Sequence, residues 1–161
     1  MILAVIGSGQ ASHEDALHAE AVGREIADQG IVLVCGGLGG VMEAACRGAR
    51  KAGGLTVGIL PGTSADEANP WVVVPIATGM GEARNVIVVT AADAVIAVGG
   101  GFGTLSEIGH ALKLHRPVVG LHTWDLIREM TVCEDVAVAT SPHEAVALAM
   151  ALACTPTRGG D

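Results

Sequence analysis

Short apolar runs alternate along the chain with longer segments of helical periodicity. The runs are rich in Val and Ile, and the strands that they predict are Ile2–Ile6, Ile31–Cys35, Thr56–Leu60, Val72–Pro75, Ala94–Val98, Val118–Leu121 and Val136–Ala139. Because polar residues do not alternate with the apolar ones, the runs are typical of strands that are buried on both faces of a parallel sheet.

Helical periodicity fills the intervals between these strands. The predicted helices are Glu14–Gln29, Val41–Ala52, Glu82–Ala92, Thr104–Leu114 and Pro142–Ala153. Gly30 and Gly53 are placed to end the first two helices. Ser141 and Glu144 form a capping box at the start of the last helix, with Pro142 at its first position.

This alternation predicts the fold class. We expect an α/β protein with a single Rossmann-like, doubly wound domain over residues 1–153, a mainly parallel sheet of about seven strands, and helices on both faces. Residues 154–161 are expected to form a frayed tail. The longest predicted loop, Pro61–Trp71, has the polar composition of a loop that covers a site.

Composition excludes several classes of protein. Of the 161 residues, 50% are hydrophobic and 16% are charged, which is the opposite of a disordered chain. No uncharged apolar run approaches the roughly 18 residues of a membrane-spanning helix. Met1–Ile6 is predicted to be a strand and not a signal peptide. The 4 cysteines form no C-x-x-C pair, so we expect no disulfide framework, no zinc site and a cytoplasmic location.

The charge balance bears on partners. The formal net charge is −8, from 9 basic and 17 acidic residues. Nucleic acids and anionic membrane surfaces both attract proteins through Lys and Arg. We therefore expect neither nucleic acid nor membrane as a partner.

Glycines cluster directly after three predicted strands. The clusters are Gly7–Gly9, Gly36–Gly40 and Gly99–Gly103. In an open α/β sheet they lie at the carboxyl ends of the strands, and each leads into a helix N-terminus, which favours an anion. We predict a ligand that bears a phosphate. The loop residues assigned to its binding are Gly7, Ser8, Gly9, Gly37, Gly39, Gly40, Gly100, Gly101, Phe102, Gly103 and Thr104.

Two common nucleotide-binding motifs are absent. The dinucleotide motif G-x-G-x-x-G fails at Ser12, and the second strand ends at Cys35 without the expected acidic residue. No Gly-Lys pair exists for a Walker A loop. The sequence therefore disfavours both NAD enzymes and P-loop ATPases.

Two charged residues could act on such a ligand. Arg84 lies in the first turn of a predicted helix, where a cation opposes the helix dipole, so it indicates either an anionic ligand or an ion pair. Thr104 and Glu107 have the spacing of a capping box, so Glu107 is either a cap or a carboxylate that orients or deprotonates a water. Phe102 either stacks on a ring of the ligand or plugs the loop.

Histidine spacing predicts no metal site. The 6 histidines do not cluster along the sequence, and His110 and His115 miss the i, i+4 spacing of a helical metal pair. We interpret all of them as surface or packing residues.

Three segments resemble one protein family. Residues Gly99–Glu107 (G-G-G-F-G-T-L-S-E) resemble the P-G-G-x-G-T-x-x-E motif of the Lonely Guy (LOG) proteins. Residues Gly36–Met42 and Thr78–Asn85 (T-G-M-G-E-A-R-N) are similar to two further motifs of that family. The resemblance is strongest to a DprA/Smf-related branch that includes the molybdenum cofactor carrier proteins, and it covers nearly the whole chain.

The resemblance implies two functions. LOG enzymes cleave the N-glycosidic bond of nucleoside 5′-monophosphates with an Arg and a Glu, which correspond to Arg84 and Glu107; lysine decarboxylation, once assigned to that family, is not expected. The carrier branch implies that the same pocket holds molybdenum cofactor without turning it over, with Met80 and Asn85 among the binding residues. Gly99 and Gly81 replace the Pro and His of the LOG motifs, and Asn85 replaces the Lys. These departures favour the carrier.

We therefore predict a binding protein for a phosphorylated pterin or nucleotide, with no other cofactor required. A phosphoribohydrolase that releases a free base and ribose 5-phosphate is the alternative. A third hypothesis is an interaction protein with a vestigial pocket, because Val86–Val89 is apolar and β-branched enough for a subunit interface. The resemblance implies a homodimer or homotetramer.

Overall fold

A computed structural model describes residues 1–132 and 134–155 of the chain. Cys133 and most of the predicted tail, residues 156–161, lie outside the described residues. The strands are β1 (Ile2–Gly7), β2 (Val32–Cys35), β3 (Thr56–Leu60), β4 (Val74–Ala77), β5 (Ala94–Val98), β6 (Val118–Leu121), β7 (Ile127–Arg128), β8 (Thr131–Val132) and β9 (Val136–Ala139). The α-helices are α1 (His13–Asp28), α2 (Val41–Lys51), α3 (Asn85–Thr90), α4 (Phe102–Lys113) and α5 (Pro142–Ala153).

The main sheet has 7 strands in the order β4-β3-β2-β1-β5-β6-β9. All of its strand pairs are parallel. The chain builds the sheet outward from β1 to β4, returns to the other side of β1 as β5, and continues through β6 to β9. The reversal therefore lies between β1 and β5, and such a switch point opens a crevice at the carboxyl ends of the two strands.

Helices cover both faces of the sheet, as predicted. One apolar core joins Leu3 and Val5 of β1 to α1, α2 and α5, and a second core joins Ala4 and Ile6 to α3 and α4. Successive residues of a strand point to opposite faces, so a strand with helices on both sides needs an apolar residue at every position. The described residues form an α/β, Rossmann-like fold, and none of their helices is long and apolar enough to cross a membrane.

The fourth predicted strand is displaced and exposed. β4 covers Val74–Ala77 where the sequence predicted Val72–Pro75, and all 4 of its residues are exposed. The expectation of burial on both faces is wrong here because β4 is the edge strand of the sheet. An edge position also accommodates Pro75, which has no N–H to donate.

The helix predicted over Glu82–Ala92 is shorter and has two parts. A 3₁₀ turn covers Gly81–Arg84, and α3 follows it. Val88 and Val89 of α3 are fully buried in the chain's own core. Their apolar character therefore does not require the subunit interface that the sequence suggested for Val86–Val89.

Helix caps follow the sequence at three helices. Gly30 and Gly53 take φ of 67° and 83° after α1 and α2. Ser141 accepts a hydrogen bond from the Glu144 N–H at 3.2 Å, as a capping box requires. The carboxylate of Glu144 differs from the motif, because it accepts from the N–H and hydroxyl of Thr140.

One hairpin was not predicted. β7 and β8 pair antiparallel across Glu129 and Met130, which have φ of 53° and 65°. Such turns favour Asn and Gly, so a Glu-Met pair carries no turn signal in the sequence.

Candidate functional site

A cavity of about 390 Å³ opens at the switch point between β1 and β5. The loop after β1, the loop after β2, the 3₁₀ turn before α3 and the first turns of α4 surround it. Its lining residues are Gly7, Ser8, Gly9, Leu38, Met42, Pro61, Glu82, Arg84, Asn85, Gly101, Gly103, Thr104 and Glu107. The volume lies within the range of roughly 300–1,000 Å³ of small-molecule sites.

Arg84 is the one cation among the described residues that line this cavity. It is 6% exposed. Its Nη2 donates to the carbonyl of Gly36 at 3.2 Å, and its Nη1 donates to Oδ1 of Asn85 at 2.6 Å. Its Nε has no hydrogen-bond partner among the described residues, although it is buried. Burial lowers the pKa of Arg84 while Glu107 opposes that shift, and a guanidinium stays charged at neutral pH.

Glu107 faces Arg84 from α4. Its Oε1 lies 3.9 Å from Nη1 of Arg84, which is an ion-pair distance, and the residue is 7% exposed. Burial raises the pKa of Glu107 to about 7, and the charge of Arg84 opposes that shift only in part. A carboxyl group with this pKa can give or take a proton near neutral pH.

The predicted capping box at Thr104 and Glu107 is wrong. α4 begins at Phe102, with Gly101 as an N-cap that has no side chain to offer, and the N–H of Leu105 already bonds to the carbonyl of Gly101 at 3.0 Å. Thr104 and Glu107 therefore lie inside the helix, where both are buried. Since Glu107 caps nothing, its burial beside Arg84 needs a different reason.

The uncapped start of α4 leaves backbone donors for a ligand. The first amides of an α-helix have no partner within the helix, and no side chain in the described part of the chain caps them here. Gly103 and Thr104 of this first turn line the cavity. Gly40 at the start of α2 likewise offers no side-chain cap.

Two glycines allow the loops to approach each other this closely. A Cβ on Gly36 would lie 2.5 Å from Nη2 of Arg84, so a larger residue there would displace the guanidinium from its present position. Gly40 has φ of 64°, and a Cβ there would collide with the carbonyl oxygen of Ser8. The first two glycine loops are thus in direct contact, and the N–H of Val41 bonds to that carbonyl at 3.0 Å.

Most of the predicted site residues meet at this cavity. Those that line it are Gly7, Ser8, Gly9, Arg84, Asn85, Gly101, Gly103, Thr104 and Glu107. Those that do not are Gly37, Gly39, Gly40, Gly100, Met80 and Phe102.

The structure gives reasons for the exceptions. Gly37 packs against Leu60, and Gly100 faces a different cavity. Met80 is 50% exposed and Phe102 is 81% exposed. The ring of Phe102 lies 5.7 Å from that of Trp124 and does not line the Arg84 cavity, and its exposure shows that it does not plug the glycine loop.

Sequence reasoning missed four lining residues, which are Leu38, Met42, Pro61 and Glu82. Leu38 and Met42 flank the second glycine cluster, and their proximity to it was the available signal. Pro61 is the one member of the predicted covering loop that reaches the cavity. Within that loop, Nδ2 of Asn69 donates to the carbonyls of Gly37 and Leu38 at 3.1 and 2.9 Å, which fixes the second glycine loop.

Comparisons with known proteins identify the family of this chain. The profile of the SLOG cluster4 family matches residues 1–146. An uncharacterised protein from Archaeoglobus fulgidus is 48% identical over 146 residues, which cover 91% of this chain and 92% of that protein.

Two solved structures are similar over nearly the whole chain. The molybdenum cofactor binding protein from Rippkaea orientalis has a TM-score of 0.84 and 40% identity, over 94% of this chain and 96% of its own. The molybdenum cofactor carrier protein from Chlamydomonas reinhardtii has a TM-score of 0.83 and 35% identity, over 96% of this chain and 99% of its own.

The comparisons correct the expectation that nucleic acid is excluded. DNA processing protein A from Streptococcus pneumoniae and from Helicobacter pylori share the fold, with TM-scores of 0.69 and 0.70 at 22% and 20% identity. The second of these proteins binds single-stranded DNA. The expectation rested on net charge, which sums over the whole surface and does not describe any local patch.

Proposed function

This chain belongs to the SLOG cluster4 family, and from that premise we propose that it is a carrier that binds molybdenum cofactor through the phosphate of the pterin. The observation that carries the proposal is the buried guanidinium of Arg84, which lines the same cavity as Gly103 and Thr104 at the start of α4. A buried charge is costly unless it is paired, and Glu107 with its pKa of about 7 pairs Arg84 only in part, so an anionic ligand is favoured.

The cavity supplies donors for a phosphate. Gly103 and Thr104 contribute amides from the first turn of α4, where the helix dipole favours an anion. Arg84 adds a guanidinium, which suits phosphate oxygens. The Gly7–Gly9 loop also lines the cavity, with no side chain larger than that of Ser8 to keep a ligand from the backbone.

Glu107 is compatible with an anionic ligand because it holds a proton near neutral pH. An ionised carboxylate in this position would repel a phosphate, but burial raises the pKa of Glu107 to about 7. A bound dianion would raise that pKa further, since like charges favour the neutral form. The protonated carboxyl group then donates a hydrogen bond to the ligand.

Reconstitution tests the carrier function. The purified chain is incubated without oxygen with molybdenum cofactor released from a molybdoenzyme, and gel filtration removes the unbound cofactor. Molybdenum is then measured by mass spectrometry and pterin by fluorescence after oxidation. We expect one of each per chain, and at least a tenfold loss of affinity in Arg84→Met.

The control is Arg24→Met, because Arg24 is an exposed arginine of α1 that does not line the cavity. It should retain both molybdenum and pterin. A protein that retains neither, or two variants that retain them equally, would contradict the proposal.

A second candidate function is a nucleoside 5′-monophosphate phosphoribohydrolase. The observation in its favour is the pKa of about 7 at Glu107, which suits a general acid or base that acts on a water. Arg84 would hold the phosphate or ribose while the glycosidic bond breaks through an oxocarbenium-like state. Incubation with AMP, followed by chromatography, should release adenine, and Glu107→Gln should abolish the release. If the unaltered protein releases no adenine, this candidate falls and the carrier stands.

Homo-oligomer formation and a cytoplasmic location stay predictions. Sedimentation at micromolar concentration tests the first.

A further inference from the structure

Three side chains with metal-ligating atoms meet outside the Arg84 cavity. They are Glu14 and His18 of α1, and His122 directly after β6. One ligand atom of each residue lies within 4.8 Å of those of the other two. The imidazole rings of His18 and His122 have centroids 4.7 Å apart. The two histidines lie far apart in the sequence, so spacing along the chain does not reveal this pair.

Local structure explains how the three residues meet. Glu14 and His18 are one helical turn apart, so they share a face of α1. His122 has φ of 53°, a left-handed conformation that is uncommon for a residue other than glycine. The neighbouring Thr123 donates its hydroxyl to the carbonyl of Gly99, which fixes the turn that carries His122 against the end of β5.

We propose that Glu14, His18 and His122 bind a divalent transition-metal ion of the zinc class. Two imidazoles and one carboxylate form a common protein ligand set for zinc, which leaves a position for water or another ligand. Nδ1 of His18 is buried and has no hydrogen-bond partner among the described residues. An ion at this site would bind the His18 ring either through Nδ1 or through Nε2, and in both cases it would hold the ring in one orientation.

The spacing of the ligand atoms is compatible with this ion. Zinc–ligand bonds of about 2.0–2.2 Å place the ligand atoms of one ion about 3.5 Å apart. Their present separation, within 4.8 Å, closes to that value when side chains rotate. Glu14 and His122 are exposed, and so they are free to rotate without repacking of the core.

The surroundings favour a cation and leave room for a further ligand. His122 lines a second cavity of about 490 Å³, together with Asp15, Gly99, Gly100, Thr123, Trp124 and Asp125. The carboxylates of Asp15 and Asp125 add negative charge to that cavity. Because the site is separate from the Arg84 cavity and involves none of its residues, it stands whether or not the proposed carrier function does.

Cobalt titration of the full chain tests the site. The protein is first stripped of metal with a chelator, and Co²⁺ is then added while visible absorption is recorded. We expect ligand-field bands that saturate at one equivalent and that Zn²⁺ abolishes. Since no cysteine belongs to the site, the thiolate-to-cobalt charge-transfer band should be absent. Each of His122→Asn, His18→Gln and Glu14→Gln should weaken binding by at least about tenfold, the lower limit seen even for outer-shell partners of a metal.

The matched control is His115→Asn. His115 is exposed and has φ of 55°, close to that of His122, and asparagine tolerates this conformation in both places. The His115→Asn variant should bind cobalt as tightly as the unaltered chain does. A thiolate band, an absence of saturable binding, or equal affinities for His122→Asn and His115→Asn would each overturn the proposal.

Discussion

The guanidinium of Arg84 and the carboxyl group of Glu107 face each other at 3.9 Å, with both side chains more than nine-tenths buried. This distance is too long for a direct hydrogen bond. The two groups therefore attract each other electrostatically without satisfying each other's donors and acceptors. Arg84 stays committed to Gly36 and Asn85, and Glu107 keeps a raised pKa. A pair arranged in this way stabilises the fold little and retains its capacity to bind a ligand.

The raised pKa of Glu107 predicts a specific pH dependence of stability. In the unfolded chain Glu107 loses its proton near pH 4.5, but in the folded chain it does so near pH 7. The folded state binds the proton more tightly, so its advantage is complete below pH 4.5 and is lost as pH rises to 7. The side chain in Glu107→Gln cannot titrate, so this variant does not lose that stability. Between pH 4.5 and pH 7, the free energy of unfolding of the unaltered protein should therefore fall by about 3 kcal/mol relative to that of the variant.

Urea denaturation at several pH values from 4.5 to 8 measures this difference. Glu144→Gln is the contrasting control, because hydrogen bonds from Thr140 lower the pKa of Glu144, so its contribution to stability changes below about pH 4.5 and stays nearly constant over this range. A difference between Glu107→Gln and the unaltered protein that stays constant with pH would contradict the role of burial at Glu107.

The contact between Gly36 and Arg84 predicts the effect of one added methyl group. In Gly36→Ala the new Cβ would lie 2.5 Å from Nη2 of Arg84, so the guanidinium must move. We expect ligand affinity to fall by roughly 10–100-fold, which corresponds to the loss of one or two charge-assisted hydrogen bonds. Titration calorimetry with the phosphate-bearing ligand measures the change in affinity.

Gly109→Ala is the matched control for this substitution. Gly109 lies in α4, and a Cβ there would meet nothing within 4 Å. It should raise the free energy of unfolding by about 0.5–1 kcal/mol and leave ligand affinity unchanged. Equal effects of the two substitutions on affinity would show that the contact with Arg84 is unimportant.

Charge alone should not replace Arg84. Lysine keeps the positive charge in Arg84→Lys but cannot reach Gly36, Asn85 and a phosphate together, because it lacks the planar fork of donors. We expect at least a tenfold loss of affinity for the phosphate-bearing ligand, measured by calorimetry, whereas Arg24→Lys on the surface of α1 has no effect. Full affinity in Arg84→Lys would mean that only net charge matters at this position.

The link between α1 and α2 predicts acid sensitivity of the fold. Glu20 accepts from Arg47 and Lys51 at 2.8 and 2.9 Å, and these bonds lower the pKa of Glu20 to about 2. A lowered pKa contributes stability above pH 4.5 that is lost as pH falls toward 2. Solvent screens this pair, so Glu20→Gln should cost about 1 kcal/mol at pH 7 and progressively less in acid. Denaturation curves at pH 7 and pH 3 measure the difference, and equal losses at both would contradict it.

The sequence predicted the parallel sheet because strands such as Ala94–Val98 must be apolar at every position when helices cover both of their faces. The sequence also predicted that Arg84 and Glu107 lie at the same edge of the sheet, because the glycine loops and the family resemblance both indicate the carboxyl ends of the strands. Sequence reasoning failed for residues that are far apart in the chain and close together in the fold. His18 and His122 come together only when β6 lies beside β5, and β4 is exposed because no strand follows it at the edge.

The start of α4 was beyond sequence reasoning for a different reason. Thr104 and Glu107 match the capping box, but the backbone of Gly101 already begins the helix. The motif is compatible with a helix that begins after Gly101 or after Thr104, and the sequence does not show which of these two starts the surrounding packing favours. Here the selection leaves Glu107 buried and free of a capping role.

The most direct test is a crystal structure of the protein soaked with a nucleoside 5′-monophosphate, which presents the same kind of phosphate monoester as the pterin. We predict that the phosphate lies in the Arg84 cavity, with its oxygens accepting from the guanidinium and from the amides of Gly103 and Thr104. Density for the phosphate at any other surface, or for water alone at these donors, would contradict the binding mode proposed for this protein.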